Sequence, residues 1–184
     1  MKRIFIAVKA EAGETLLGIL SDLKRGLGGS IIKWTSLANI HITLSFLGDI
    51  EDEMIEAINA MIHERCNGFG KFELKLKGLG VFKSMADPRI IWTGIESSPD
   101  LVQLYETILN GLEDIGVKTE ERAFNPHFTL GRIKSVKDNI AFKSLLDKYK
   151  NSEIQSVPVD DVILFESILF NTGPVYKPIN IIKL

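Results

Sequence analysis

The stretch NIHITLSFLGDI, residues 39–50, sets a histidine inside an apolar run of strand length. A second stretch, FNPHFTLGRI at residues 124–133, repeats His-x-Thr-Leu around His127. Successive side chains on a strand point to opposite faces. Alternation therefore groups His41, Thr43 and Ser45 against Ile42, Leu44 and Phe46, and groups His127, Thr129 and Gly131 against Phe128 and Leu130. Each strand offers a histidine and a threonine about 7 Å apart on one face, while the opposite face is built for burial. A lone histidine in such a place reads as a half-buried residue bonded to a neighbour. Two copies with the same offset, taking two of the chain's three histidines, read as a shared cleft.

The surrounding text supplies the frame for that cleft. RIFIAV, residues 3–8, reads as a strand, and Leu16, Leu17, Leu20, Leu23 and Leu27 have helical spacing over residues 11–27. GLGG at 26–29 stops that helix, and SIIKW leads into the strand of His41. EDEMIEAINAMIHERC, 51–66, is an acid-led helix with Met54, Ile55, Ile58, Met61 and Ile62 on one face. KFELKLKGLGVF, from 71, alternates like a half-exposed strand, and RIIWTGIE, 89–96, comes after the turn signal Asp87-Pro88.

The rhythm then recurs. A helix is expected over 99–115, then the strand of His127, a helix near 138–149, the strand VDDVILFESILF and a last strand near 175–183. No linker or low-complexity segment divides the chain. Mixed elements with short links predict an α+β fold with mainly antiparallel sheets. The recurrence of His-x-Thr suggests two related lobes within one domain spanning residues 1–184.

Bulk properties narrow the function. A net charge of −2 argues against coating long nucleic acid by counterion release, but not against holding one phosphate or a strand end. The single Cys66 excludes an internal disulfide and fits a reducing compartment. MKRIFIAVKAEAGETL makes a poor signal peptide, and no window resembles a membrane span, so a soluble cytoplasmic protein is expected.

Two histidines and two hydroxyls on one cleft suit phosphodiester hydrolysis. Imidazole titrates near 6.5, so a neutral ring can accept a proton while a charged one donates. The threonine hydroxyls can hold non-bridging phosphate oxygens. Metal ligation fits less well, because His41 and His127 lack a third ligand and His63 with Cys66 lacks companions. His63 reads as solvent-facing helix decoration. Phe46, Trp34 and Tyr176 are candidates for stacking on a base, although alternation sends Phe46 to the core and leaves Tyr176 the better one.

With these residues in view, HITLSFLG and HFTLGRI resemble the paired motifs of the two-histidine (2H) phosphoesterase superfamily. More narrowly, the chain resembles the RNA 2',3'-cyclic phosphodiesterases of the LigT-like (2'-5' RNA ligase) family. RIFIAV, NIHITLSFLGD, GLGVF with PRIIWTGI, FNPHFTLGR and LFESILFNTGPVYKPI carry the likeness across nearly the whole chain. The resemblance implies two pseudo-symmetric lobes around a central cleft, with helices outside. It implies hydrolysis of RNA 2',3'-cyclic phosphate ends to 2'-phosphomonoesters without metal or other cofactor, with weak reverse ligation. His41 and His127 would be the catalytic pair, His127 as base and His41 as acid, and Thr43 and Thr129 would bind phosphate. Arg132 matches the family's arginine but has the wrong parity for the cleft unless the strand bulges, and the family often has a basic residue where Ser45 stands. The implied partners are RNA ends, tRNA fragments among them, and the implied state is a monomer. A small-nucleotide cyclic phosphodiesterase, a 2'-5' phosphodiesterase and a non-catalytic nucleotide-binding module are the competing readings.

Overall fold

Period-two and period-3.6 patterns sort the chain into the elements expected, with two strands added. The computed structural model describes residues 1–119, 123–171 and 173–184. Within these, β1 (Lys2–Lys9), α1 (Glu14–Gly26), β2 (Ile31–Trp34), β3 (His41–Ile50), α2 (Asp52–Cys66) and β4 (Phe72–Lys83) are followed by β5 (Pro88–Ile95), α3 (Pro99–Asp114), β6 (His127–Ser135), α4 (Asn139–Tyr149), β7 (Glu153–Val159), β8 (Asp161–Phe170) and β9 (Gly173–Lys183). One sheet has the order β3-β1-β8-β9 and the other β2-β6-β5-β4-β7. All their pairings are antiparallel, as the α+β reading expects.

Local chemistry sets the helix ends. The Ser98 side chain accepts from the Leu101 N–H at the start of α3, where Pro99 needs no donor partner. Asp138 does the same for Ile140 and Ala141 in α4. α1 begins later than its leucine spacing predicts because Gln155 holds the preceding residues extended. Its amide oxygen accepts from the Gly13 N–H at 2.7 Å, and its nitrogen donates to the Glu11 carbonyl at 2.8 Å.

Helices α2 and α3 pack together and against β9 and β3, while α1 and α4 pack against β7 and β4. They bury the apolar face of each sheet in one large core that includes Ile42, Leu44, Phe128 and Leu130. A smaller cluster of Phe5, Ala7, Ile163 and Phe165 lies on the other face of the first sheet, with Tyr176 against it.

The related halves exchange parts. With β2, β7 and β9 set aside, each half runs β-α-β-α-β, but β4 of the first joins the sheet of β5 and β6, while β8 of the second joins the sheet of β1 and β3. The strands β2, β7 and β9 extend the two sheets at their edges. β7 escapes a reading by pattern because Pro158 interrupts it; proline is tolerated there because β7 is an edge strand.

Candidate active site

His41 and His127 each stand at the first position of their strand, β3 and β6, so the chain entering each strand can reach back to the ring. The His41 Nδ1 lies 2.7 Å from the Asn39 carbonyl, and the His127 Nδ1 lies 2.7 Å from the Asn125 carbonyl. A carbonyl only accepts, so Nδ1–H donates in both and each Nε2 is left for other work. Asparagine two residues before histidine occurs in both motifs, a part of the repeat whose meaning emerges only from these two bonds. Aromatic rings fix the imidazoles laterally. Phe5 lies 5.1 Å from His41 and Tyr176 meets it edge-on at 5.1 Å, while Phe82 meets His127 edge-on at 4.6 Å.

A cleft of about 490 Å³ brings the two motifs together. His41, Thr43, His127, Thr129, Arg132 and Tyr176 all line it, so every site residue read from the sequence faces one cavity. The cavity also takes in Lys33, Trp34, Asn39 and Phe82, and among the described residues no aspartate or glutamate lines it. A chain of net charge −2 thus reserves a locally cationic cleft. His63 is exposed on α2 and takes no part in it.

Simple alternation fails after the threonine in both strands. Along β3 the register slips between Thr43 and Ser45, and along β6 it slips between Thr129 and Gly131. Each is a β-bulge at a leucine, which reverses the parity of the residues beyond it. Both motifs consequently show the same succession, with the fifth residue buried and the sixth exposed. Ser45, expected beside His41, is buried on the far side at 9% exposure. Phe46, expected in the core, is 49% exposed and lines the cleft. Gly131 likewise turns away, and Arg132 gains the cleft face because its strand bulges. A glycine inside a strand was the available signal for this at β6. Gly131 also admits Trp34 closely, since a Cβ there would stand 3.1 Å from the indole ring.

Electrostatics suit proton transfer and anion binding. Burial pushes both imidazoles below their ordinary 6.5 against the pull of the two carbonyls, with Arg132 acting in the same direction as burial. The His127 charge depresses His41 further. Burial also raises the Tyr176 phenol above 10. Among the described residues no group of three or more His, Cys, Asp or Glu is placed to hold a metal ion.

Solved structures share this architecture end to end. A Thermus thermophilus protein superposes with a TM-score of 0.80 at 23% identity, covering 99% of this chain and 97% of that one. Escherichia coli LigT, crystallised with 3'-AMP, superposes with a TM-score of 0.71 at 20% identity, covering 100% and 98%. The model of the LigT like Phosphoesterase family matches residues 6–92 and 95–176, and the chain belongs to that family. Its relatives include an RNA 2',3'-cyclic phosphodiesterase of Thermotoga maritima, 36% identical over 95% of this chain and 91% of the relative. Another, of the same name, comes from Archaeoglobus fulgidus and is 30% identical over 98% and 99%.

Proposed function

We propose that the chain hydrolyses RNA 2',3'-cyclic phosphate ends to 2'-phosphomonoesters, using His41 and His127 as an acid–base pair and no metal ion. The observation that carries this is the pair of imidazoles with Nδ1 tied to a carbonyl, set with two threonines in a cleft whose described lining holds no carboxylate. The names of the curated relatives support the substrate. Thr43 and Thr129 donate to the non-bridging oxygens, and Arg132 offsets the charge that grows on them in the transition state. Water attacks phosphorus opposite the 3'-oxygen, His127 Nε2 takes its proton, and the P–O3' bond breaks as His41 Nε2–H protonates the departing oxygen. The product carries a 2'-phosphate and a 3'-hydroxyl, and the histidine pair has exchanged one proton. Tyr176 and Phe46 flank the terminal base or ribose. Residues 1–184 act as one unit, a monomer working in the cytoplasm. Among the described residues no helix is long and apolar enough to cross a membrane.

The test is a short RNA bearing a terminal 2',3'-cyclic phosphate, incubated with the protein in EDTA. Conversion to the 2'-phosphate is the expected result. Activity lost in EDTA and restored by a divalent cation would overturn the metal-free chemistry, and a 3'-phosphate product would overturn the direction of cleavage.

The depressed imidazoles predict the pH profile. The base must be neutral and the acid protonated, so with both rings below 6.5 the productive form of the free enzyme is most populated on the acid side of 6.5. The kcat/KM profile is expected to be a bell with its optimum below pH 6.5. The bound phosphate favours imidazolium, so the kcat profile lies toward higher pH. An optimum of kcat/KM above pH 7 would contradict the assignment.

Arg132→Ala is expected to lower kcat/KM about 10- to 100-fold, the size of a charge-assisted contact to phosphate. Arg132→Lys recovers only part, because the planar fork is lost. Steady-state kinetics at fixed salt decides this, and a loss under twofold would remove Arg132 from the phosphate site.

A further inference from the structure

We propose that Lys33 forms a second anion subsite, for the phosphodiester one nucleotide upstream of the cyclic phosphate, which makes the cleft select an RNA strand over a mononucleotide. The inference rests on the reading of the cleft as an RNA-end phosphodiesterase. β2 is the edge strand beside β6, and within that pairing Lys33 stands directly opposite Arg132. Their Cα atoms are therefore about 5 Å apart, and both side chains line the same cleft. Arg132 shares its strand with His127 and Thr129, whereas Lys33 lies one strand outward, on β2.

What Lys33 does there is visible from its neighbours. Its Nζ comes to within 2.9 Å of where a Cβ on Gly173 would stand, so the ammonium reaches toward the start of β9. Asn39 fastens the start of β9 by donating from Nδ2 to the Pro174 carbonyl at 3.1 Å. Lys33, Trp34 and Ser36 thus form one continuous rim of the cleft with Gly173 and Pro174. Lys77, Lys83 and Lys148 each pair with a carboxylate, but among the described residues Lys33 pairs with none. A cation that lines a cleft without an acid partner is available to an anion from solution.

Substrate chemistry says which anion. A 2',3'-cyclic phosphate sits at the 3' end of a strand, so the remaining RNA leaves through the 5'-oxygen of the terminal nucleoside. Two hydroxyls and Arg132 already surround the reacting phosphate. The next negative charge along the chain is the first upstream phosphodiester, and Lys33 is the next cation outward from Arg132. Trp34, partly exposed in the same rim, offers a face to the upstream base.

The experiment compares kcat/KM for a nucleoside 2',3'-cyclic monophosphate and for a dinucleotide with the same terminus, using wild type, Lys33→Ala and Lys33→Arg at several salt concentrations. Lys33→Ala is expected to lower the dinucleotide-to-mononucleotide ratio about tenfold, as loss of one charge-assisted contact does. The salt dependence of log kcat/KM for the dinucleotide should become shallower by about 0.7, the value for one phosphate contact on a single strand. Lys33→Arg should keep both. Equal loss on the two substrates would place Lys33 at the reacting phosphate and overturn the subsite, as would an unchanged ratio. If wild type turns over neither substrate, the RNA-end reading itself fails. Fluorescence polarisation with a labelled RNA ending in 2'-phosphate then judges the subsite separately, and equal binding by wild type and Lys33→Ala overturns it.

Discussion

His41→Ala and His127→Ala are each expected to lower kcat on a 2',3'-cyclic-phosphate RNA by about 10²- to 10⁴-fold, the usual worth of a positioned acid or base. Each replacement leaves its Asn39 or Asn125 carbonyl without the ring that holds the strand entry, but the β-ladder of β3 with β1 and of β6 with β5 remains. Thermal unfolding within a few degrees of wild type would separate chemistry from folding. In the proposed mechanism the two rings pass one proton between them, so the double variant should be far less impaired than the product of the single losses. A single variant that keeps more than about a tenth of wild-type kcat would remove that histidine from the mechanism. Strict multiplicativity would show two independent functions in place of a pair.

Gly78→Ala is the substitution expected to damage the fold most. Gly78 has φ +70 and sits where the register of β4 slips between Lys77 and Leu79. An added Cβ would lie 2.2 Å from the Lys150 carbonyl oxygen and 3.2 Å from its carbon. Both are backbone atoms, so no rotamer change relieves the clash. The segment after α4 would have to withdraw, taking with it the bond from the Gly78 N–H to the Ser152 carbonyl at 2.9 Å. Left-handed strain and a lost ladder contact together suggest a cost of about 3 kcal/mol or more. That is a large share of the roughly 5–15 kcal/mol that stabilises an ordinary domain. Gly68→Ala is the control, because Gly68 has φ +76 and nothing lies within 4 Å of its Cβ position. Urea unfolding should show Gly68→Ala costing about 1 kcal/mol and Gly78→Ala clearly more. Equal midpoints would mean that the Lys150 carbonyl gives way freely.

Much of this molecule is legible from residue patterns alone. The strands of His41 and His127, all four helices and the antiparallel character follow from periodicity, capping residues and turn signals. The cleft is legible because the same His-x-Thr offset occurs twice. What fails is parity beyond the threonines. A bulge depends on a partner strand, and at β3 nothing local marks it, so alternation assigns Ser45 and Phe46 to each other's faces. Arg132 is ambiguous for the same reason, although Gly131 beside it is a hint. Lys33 is invisible because β2 is only four residues long and gains its meaning from register with β6. Phe5 and Phe82 read as ordinary sheet residues, and their place against the imidazoles is a tertiary fact.

The exchange of β4 and β8 between the two halves works as a clasp on the cleft. β1, which supports the His41 strand, is flanked on its other side by a strand drawn from near the end of the chain. β5, which supports the His127 strand, is flanked by a strand drawn from the first half. Neither half owns a complete floor for its own histidine. The β1–β8 pair spans most of the sequence, whereas β4 and β5 form a local hairpin, so the chain must bear the entropy of one long loop before the first sheet is complete. A chain that stops short of β8 carries both motifs but lacks the strand that flanks β1, so the floor under His41 is complete only once residues 161–170 are in place.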